Sequence, residues 1–356
     1  MAIVSHIHPF VVGVDTHART HTFAILVATT GEQLASDTFP NTASGMSRTI
    51  AWAARRTGGD MDTLWVIEGI GSYGAGLARA AAADGYSVVE APRMDARVQR
   101  GTGKSDPIDA RAIAAAVLPL DEQRLRRPRR DDGSRAALRV LVTAREQMTD
   151  ERTANVNALT GLVRAVDLGI DARKALTRRQ IIEISRWRSR DESLADATAR
   201  TEAVRLAGRV IELSDTLREN QTRMTELIQA SEAAPLLEKT GIGPLTVAVV
   251  LTAWSHPGRV RSEAAFASLA GVNPIPASSG NTVRHRLNRG GDRRLNKALH
   301  IATIVRMTYD PATRAYVHRR TAEGRSVREI RRCLKRYLAR HLYRTLNALH
   351  ATPAST

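Results

Sequence analysis

Two apolar runs near the N-terminus, FVVGV (residues 10–14) and TFAILV (22–27), are separated only by the polar stretch DTHARTH. Runs this short, with turn-forming residues between them, read as strands joined by a tight turn. They predict a hairpin, with a third strand in GEQLASDTF. The pattern then alternates: a helix near 44–56, a strand in TLWVIEGI, a helix in GLARAAAADG, a strand in YSVVEAPR, and a helix opening within KSDPIDARAIA. A three-strand meander followed by alternating helices and strands specifies an α/β sheet domain, here over residues 1–120.

The order of these elements is that of a ribonuclease H-like fold, and acids stand at its strand ends. Asp15 follows the first apolar run and Glu68 ends LWVI. A buried strand end is a costly place for an unpaired charge. If the two strands are neighbours, their acids converge, and the helix opening at SDPID brings Asp106 and Asp109 to the same edge. Four carboxylates around one point repel one another unless a cation lies between them, and Mg2+ (or Mn2+) suits such oxygen ligands and phosphate chemistry. A capping box is the alternative, with Asp106 as N-cap, Pro107 first in the helix and Asp109 three residues after the cap. The two readings are partly compatible, since a helix N-terminus favours ionised acids. An actin-like or sugar-kinase ATPase would need a glycine-rich phosphate loop after Asp15, where Thr16, His17, Ala18 and Arg19 stand instead.

Beyond residue 120 the chain divides into a basic linker (121–133, within the arginine-rich run that ends RLRRPRRDDGSR at residue 135, expected to be exposed), a helical region (134–234), a second domain (235–345) and a tail (346–356). In the helical region Leu206, Val210, Leu213, Leu217, Asn220, Met224 and Leu227 alternate steps of four and three, the seam of a coiled coil. Leu138, Leu141, Met148, Leu159, Leu162 and Val166 form an earlier, interrupted stripe. The two can pair as a hairpin or the seam can serve self-association, and Asn220 favours one register in either case.

The formal net charge is +17, and it divides unevenly: −1 over residues 1–120, +3 over 121–234 and +15 over 235–356. The last third holds 21 Lys and Arg against six acids. That is the footprint of a polyanion partner, nucleic acid by default. Only 4% of residues are aromatic, so phosphate contacts rather than base stacking carry the binding. A single cysteine, Cys333, excludes an intrachain disulfide framework, and no segment resembles a secretion signal or membrane span; a cytoplasmic protein is expected.

Within the basic third, LEKTGIGPLTVAVVL places Gly241 and Gly243 between helices, either as an ordinary turn or as a helix-hairpin-helix turn whose backbone N–H groups hold a phosphate. Further on, SSGNTVRHRLNRGGDRRLNKALH sets Ser278 and Ser279 beside Arg284, Arg286, Arg289, Arg293, Arg294 and Lys297. A serine attacking a phosphodiester needs such cations around the nonbridging oxygens.

Taken together, GVDTH, VIEGIGSYG, KSDPIDARAIA, the run from Thr240 to Ala248 and SSGNTVRHRLNRGGDRRLNKAL resemble the DEDD-type insertion-sequence transposases, relatives of the pilin-gene invertases. The resemblance continues to AYVHRRTAEGRSVREIRRCLKRYLARHLYR, with Val247 a local departure where a small residue is expected. It implies a RuvC-like domain bearing Asp15, Glu68, Asp106 and Asp109 as metal ligands, and a C-terminal transposase domain bearing a catalytic serine. That serine maps to Ser279, with Ser278 as the other choice. It further implies strand exchange through a phosphoserine bond, donor and target DNA as substrates, a structured noncoding bridge RNA as guide, and a homo-oligomer, a dimer assembling to a tetramer. Lys104, Gly241, Gly243 and the six basic residues from Arg284 to Lys297 are the expected nucleic-acid contacts. A junction nuclease without a covalent intermediate and a noncatalytic nucleic-acid binder are the rival readings.

Overall fold

A computed structural model describes residues 2–92, 105–130, 133–278 and 285–351 of the chain. They form two compact units, Met1–Arg130 with His256–Ala265, and Asp131–Ser255 with Phe266–Thr356. Among the described residues no helix is long and apolar enough to cross a membrane.

The first unit runs α1 (Val4–Ile7), β1 (Phe10–Thr16), β2 (Thr20–Val27), β3 (Gln33–Pro40), α2 (Ala43–Arg56), β4 (Leu64–Ile67), α3 (Ala75–Ala83), β5 (Ser87–Glu90) and α4 (Asp106–Ala115). Its sheet has the order β3-β2-β1-β4-β5. β1 pairs antiparallel with β2 and parallel with β4, while β4 pairs parallel with β5. The mixed α/β domain is therefore as the apolar runs predicted. Strand alternation sends Val12, Val14, Trp65 and Ile67 into one core with Phe23 and Trp52, and Val11, Leu64 and Val66 into another with Ile113 and Val117. Burial on both faces explains why β1 and β4 read as continuous apolar runs.

Residues 121–130, expected as an exposed linker, are instead attached to this unit. Leu125 is buried, Arg126 bridges to Glu90, and Glu122 binds both His8 and Arg127. The arginine content of the segment hid a single apolar anchor. The same unit holds His256–Ala265, where Arg259 faces Glu90 at 3.9 Å.

The second unit contains α5 (Gly133–Ala165), α6 (Arg178–Ser185), α7 (Leu194–Gln229), α8 (Pro244–Trp254), most of α9 (Glu263–Leu269), α10 (Arg293–Tyr309), α11 (Pro311–Ala322) and α12 (Val327–Ala351), with a two-stranded ribbon of β6 (Ile275–Pro276) and β7 (His285–Arg286). The seam of α7 faces α5 of the same chain, antiparallel to it. The Asn220 side chain donates to the Leu141 carbonyl at 3.1 Å, Arg145 donates to the Leu217 carbonyl at 2.7 Å, and Arg152 to Ser214 at 2.8 Å. The hydrophobic α8 packs on both α5 and α7, so the helical region and the segments after residue 235 share one body.

Candidate metal centre and nucleic-acid interface

Side-chain parity builds the acid site. On β1, Val11, Gly13 and Asp15 share the face toward α4; on β4, Leu64, Val66 and the next same-face position, Glu68, do the same. Val14 lies opposite Ile67 in the parallel register, and the Glu68 N–H donates to the Val14 carbonyl at 3.1 Å, so Asp15 and Glu68 leave adjacent strand ends together. Thr16 fixes the corner by donating its hydroxyl to the Glu68 carbonyl at 3.0 Å.

Gly13 lets α4 approach. A Cβ there would stand 2.1 Å from the Ala110 carbonyl oxygen and 2.6 Å from the Ala114 nitrogen. The helix consequently rests on strand backbone, with Asp106 and Asp109 in its first turn. The capping box is not formed. Ser105 occupies the cap position without a side-chain cap bond, and Asp106 is the first helical residue. Pro107 therefore takes the second helical position, one step later than the capping reading required.

One functional candidate was missed. His17 Nε2 lies 3.1 Å from Asp15 Oδ2 and 3.6 Å from Asp106 Oδ1, and these three side chains offer ligand atoms within 4.8 Å of one another. Its signal in the sequence is the spacing, since residues two apart on an extended strand share a face. Burial raises the Asp15 carboxyl above its ordinary value, with Asp106 and Asp109 adding to the shift and His17 opposing it. Desolvation likewise raises Glu68, reinforced by Asp15 and Asp109. Glu68 and Asp109 thus lie within electrostatic reach of the cluster but outside its tight triad. Two carboxylates with one imidazole are a donor set that can hold a divalent cation, and the imidazole suits Mn2+ better than Mg2+.

The basic residues of the second unit divide into two kinds. Arg286, Arg289, Arg293 and Lys297 are exposed, the last two one turn apart on α10. Arg294 is exposed but committed, with Nη2 2.5 Å from Glu146 Oε2 and Nη1 donating to Thr143 at 3.2 Å. Phosphate binding by Arg294 requires exchange of that partner. Lys104, Ser279 and Arg284 lie outside the described residues, whereas Ser278 stands two residues after the end of β6. Ile275 pairs with Arg286 and Pro276 with His285 in an antiparallel ribbon.

The rest of the NRGGDRRLN stretch packs against residues 270–273 and caps α10. Asn288 donates to Asn273 Oδ1 at 2.7 Å, Asn296 donates to the Ala270 carbonyl at 2.7 Å, and Asp292 caps α10 by accepting from the Leu295 N–H at 3.0 Å. Gly291 touches Gly271, where a Cβ would fall 2.3 Å from the Gly271 nitrogen. Gly241 adopts φ +79, packed against the Ala302 carbonyl, and Gly243 is the N-cap of α8 with no side-chain cap.

Residues 12–166 match the sequence profile of the DEDD transposase domain of IS110, described as a transposase. Residues 233–318 match the profile described as "Transposase IS116/IS110/IS902 family". The chain is 30% identical over 123 residues to the uncharacterized 43.6 kDa protein of insertion element IS110 from Streptomyces coelicolor, an alignment covering 34% of this chain and 30% of that one. It is 25% identical over 366 residues to the uncharacterized 42 kDa protein of insertion element IS900 from Mycobacterium paratuberculosis, covering 89% of this chain and 90% of the relative. The two profiles match in succession along one chain, so that over residues 12–166 and 233–318 this protein is similar to the IS110 family of insertion-element transposases.

Proposed function

We propose that the protein cleaves and exchanges DNA strands as the transposase of an insertion element, with a divalent metal and a phosphoserine intermediate, guided by a structured RNA and acting as a homo-oligomer in the cytoplasm. The observation that carries this reading is the convergence of Asp15, His17 and Asp106, with Glu68 and Asp109 nearby, at the end of β1. The strand order β3-β2-β1-β4-β5 supports the ribonuclease H-like, RuvC-like assignment.

Asp15, Asp106 and His17 would hold the ion, with Glu68 and Asp109 completing its surroundings. When bound there, Mg2+ or Mn2+ supplies Lewis-acid polarisation of a scissile phosphate. The Ser279 hydroxyl oxygen forms a bond to phosphorus as its proton departs, and the bond from phosphorus to one deoxyribose oxygen breaks, that oxygen taking a proton. The phosphodiester energy is thereby kept in the phosphoserine bond, and rejoining needs no ATP. Arg286, Arg289, Arg293 and Lys297 bind phosphates on either side and neutralise charge as it grows. Lys104, Arg284 and the backbone around Gly241 and Gly243 are further expected contacts to nucleic acid. A 4% aromatic content agrees with leaving sequence readout to base pairing with the RNA.

The test is incubation with Mg2+, DNA carrying the element's ends and the RNA transcribed beside it, followed by denaturation. A protein–DNA adduct abolished by Ser279→Ala supports the proposal. Free cut ends without adduct indicate a junction nuclease, and binding without either product indicates a noncatalytic binder.

A further inference from the structure

Helices α10, α11 and α12 enclose a cavity of about 200 Å3 whose polar lining is Thr303, Arg306, Thr313, Tyr337 and His341. Its volume is below the ~300–1,000 Å3 of small-molecule pockets, so it admits a phosphate and part of a sugar rather than a whole cofactor.

The lining has spare donors. Thr303 is 2% exposed, and its hydroxyl has no hydrogen-bond partner among the described residues. Helical threonines ordinarily donate to the carbonyl four residues back, as Thr308 of the same helix does to Ile304 at 3.1 Å. Thr303 does not, and a buried hydroxyl left this way is costly unless a ligand meets it. Arg306 makes one contact at 3.1 Å with Asp310 and has further N–H donors on its guanidinium.

Cations gather here from three elements. A Cβ at Gly241 would lie 3.0 Å from Arg306 Cγ, so the TGIG turn runs along the arginine stem. Burial, then Lys239 before that turn, Arg306 on α10 and Arg344 on α12, hold the His341 imidazole below its ordinary value. Asp310 is the acid paired with Arg306, and Thr313 also donates to it.

We propose that this cavity binds a phosphate group of a nucleic-acid strand, held by Arg306, His341 and the Thr303 hydroxyl. The identity of the strand rests on the nucleic-acid reading above; the anion site itself does not. It gives the TGIG turn a role in positioning Arg306, separate from any contact of its own backbone.

Fluorescence anisotropy of the full chain with a labelled single-stranded oligonucleotide tests this across a salt series, using Thr303→Val, His341→Gln and Arg306→Gln, each checked for folding by circular dichroism. Thr303→Val, which keeps the side-chain shape, should weaken binding about tenfold while leaving the salt slope unchanged, because a hydrogen bond to a charged group is lost but no charge. Arg306→Gln should lower the log-log slope by about 0.7, the value for one contact on a single strand. Inorganic phosphate should compete with the oligonucleotide for the wild type more strongly than chloride at equal ionic strength, and lose that advantage in Thr303→Val. Folded variants that all bind as the wild type does, while Arg293→Ala with Lys297→Ala weakens binding, would overturn the cavity assignment and leave the nucleic-acid reading standing. Phosphate raising the melting temperature of wild type but not of Thr303→Val, with no oligonucleotide binding at all, would support the anion site and overturn its nucleic-acid occupant.

Discussion

Gly13 lies so close under Ala110 that a methyl group at residue 13 would sit 2.1 Å from the Ala110 carbonyl oxygen. The contact sets the height of α4 above β1, and therefore the distance from Asp106 to Asp15. Gly13→Ala should displace the helix, with an overpacking cost of about 1–3 kcal/mol. Divalent-metal affinity should fall as well, although no ligand has changed. Thermal melting with and without Mn2+ reads both effects, and a variant that keeps wild-type metal affinity would separate α4 from the site.

The acids themselves should destabilise the metal-free protein. Asp106→Asn is expected to raise the melting temperature without metal by removing like-charge repulsion, and to abolish the rise that Mg2+ or Mn2+ produces in wild type. An N-cap would instead cost about 1 kcal/mol on Asp106→Ala. Because Ser105 holds the cap position, Asp106→Ala should cost little in stability while removing activity. Differential scanning fluorimetry on both variants, with and without metal, checks this.

Asp310 supplies a pH-dependent part of the stability of the second unit. Its carboxylate accepts from the Thr313 hydroxyl and N–H and pairs with Arg306, and these bonds hold it below the ordinary carboxylate value. A depressed folded value means the contribution is complete above the unfolded value of about 3.9 and is lost as pH falls through the lowered one. Asp310→Ala should therefore cost about 1–2 kcal/mol at pH 7 through the lost α11 cap and ion pair. The gap in melting temperature from wild type should narrow as pH drops below the ordinary carboxylate range. A gap that widens in acid would contradict the assignment.

Asn220 tests what the α7 seam is for. It is buried, donates to the Leu141 carbonyl and accepts from Arg145 at 3.4 Å. Asn220→Ala removes both of these bonds and should cost about 1–3 kcal/mol. Sedimentation velocity should show an unchanged oligomeric state, because α5 of the same chain fills the seam. Dissociation of an oligomer by this substitution would assign the seam to self-association.

The sheet was legible in the sequence because β1 and β4 are buried on both faces and so appear as unbroken apolar runs between polar turns. Asp15 and Glu68 were legible because a charge at the end of such a run demands a partner. His17 was not, since by sequence a histidine just past a strand end is an ordinary turn residue. The exact start of α4 was also hidden, because Ser105 and Asp106 are both good caps and only the backbone distinguishes them. The linker was misjudged for a related reason: one buried Leu125 outweighs its arginines. Arg294 looked like its basic neighbours until the fold set Glu146 beside it. Three heptads define a seam but carry no information about which helix fills it.

The most direct test of the metal centre is electron paramagnetic resonance titration of Mn2+ into the full-length protein and its Asp15→Asn, His17→Gln and Asp106→Asn variants. One saturable site per chain is expected in wild type, displaced by excess Mg2+, absent in both aspartate variants and weakened in His17→Gln. Saturable binding that survives both aspartate substitutions, or no saturable binding in wild type with DNA present, would contradict the assignment of this cluster as the metal centre.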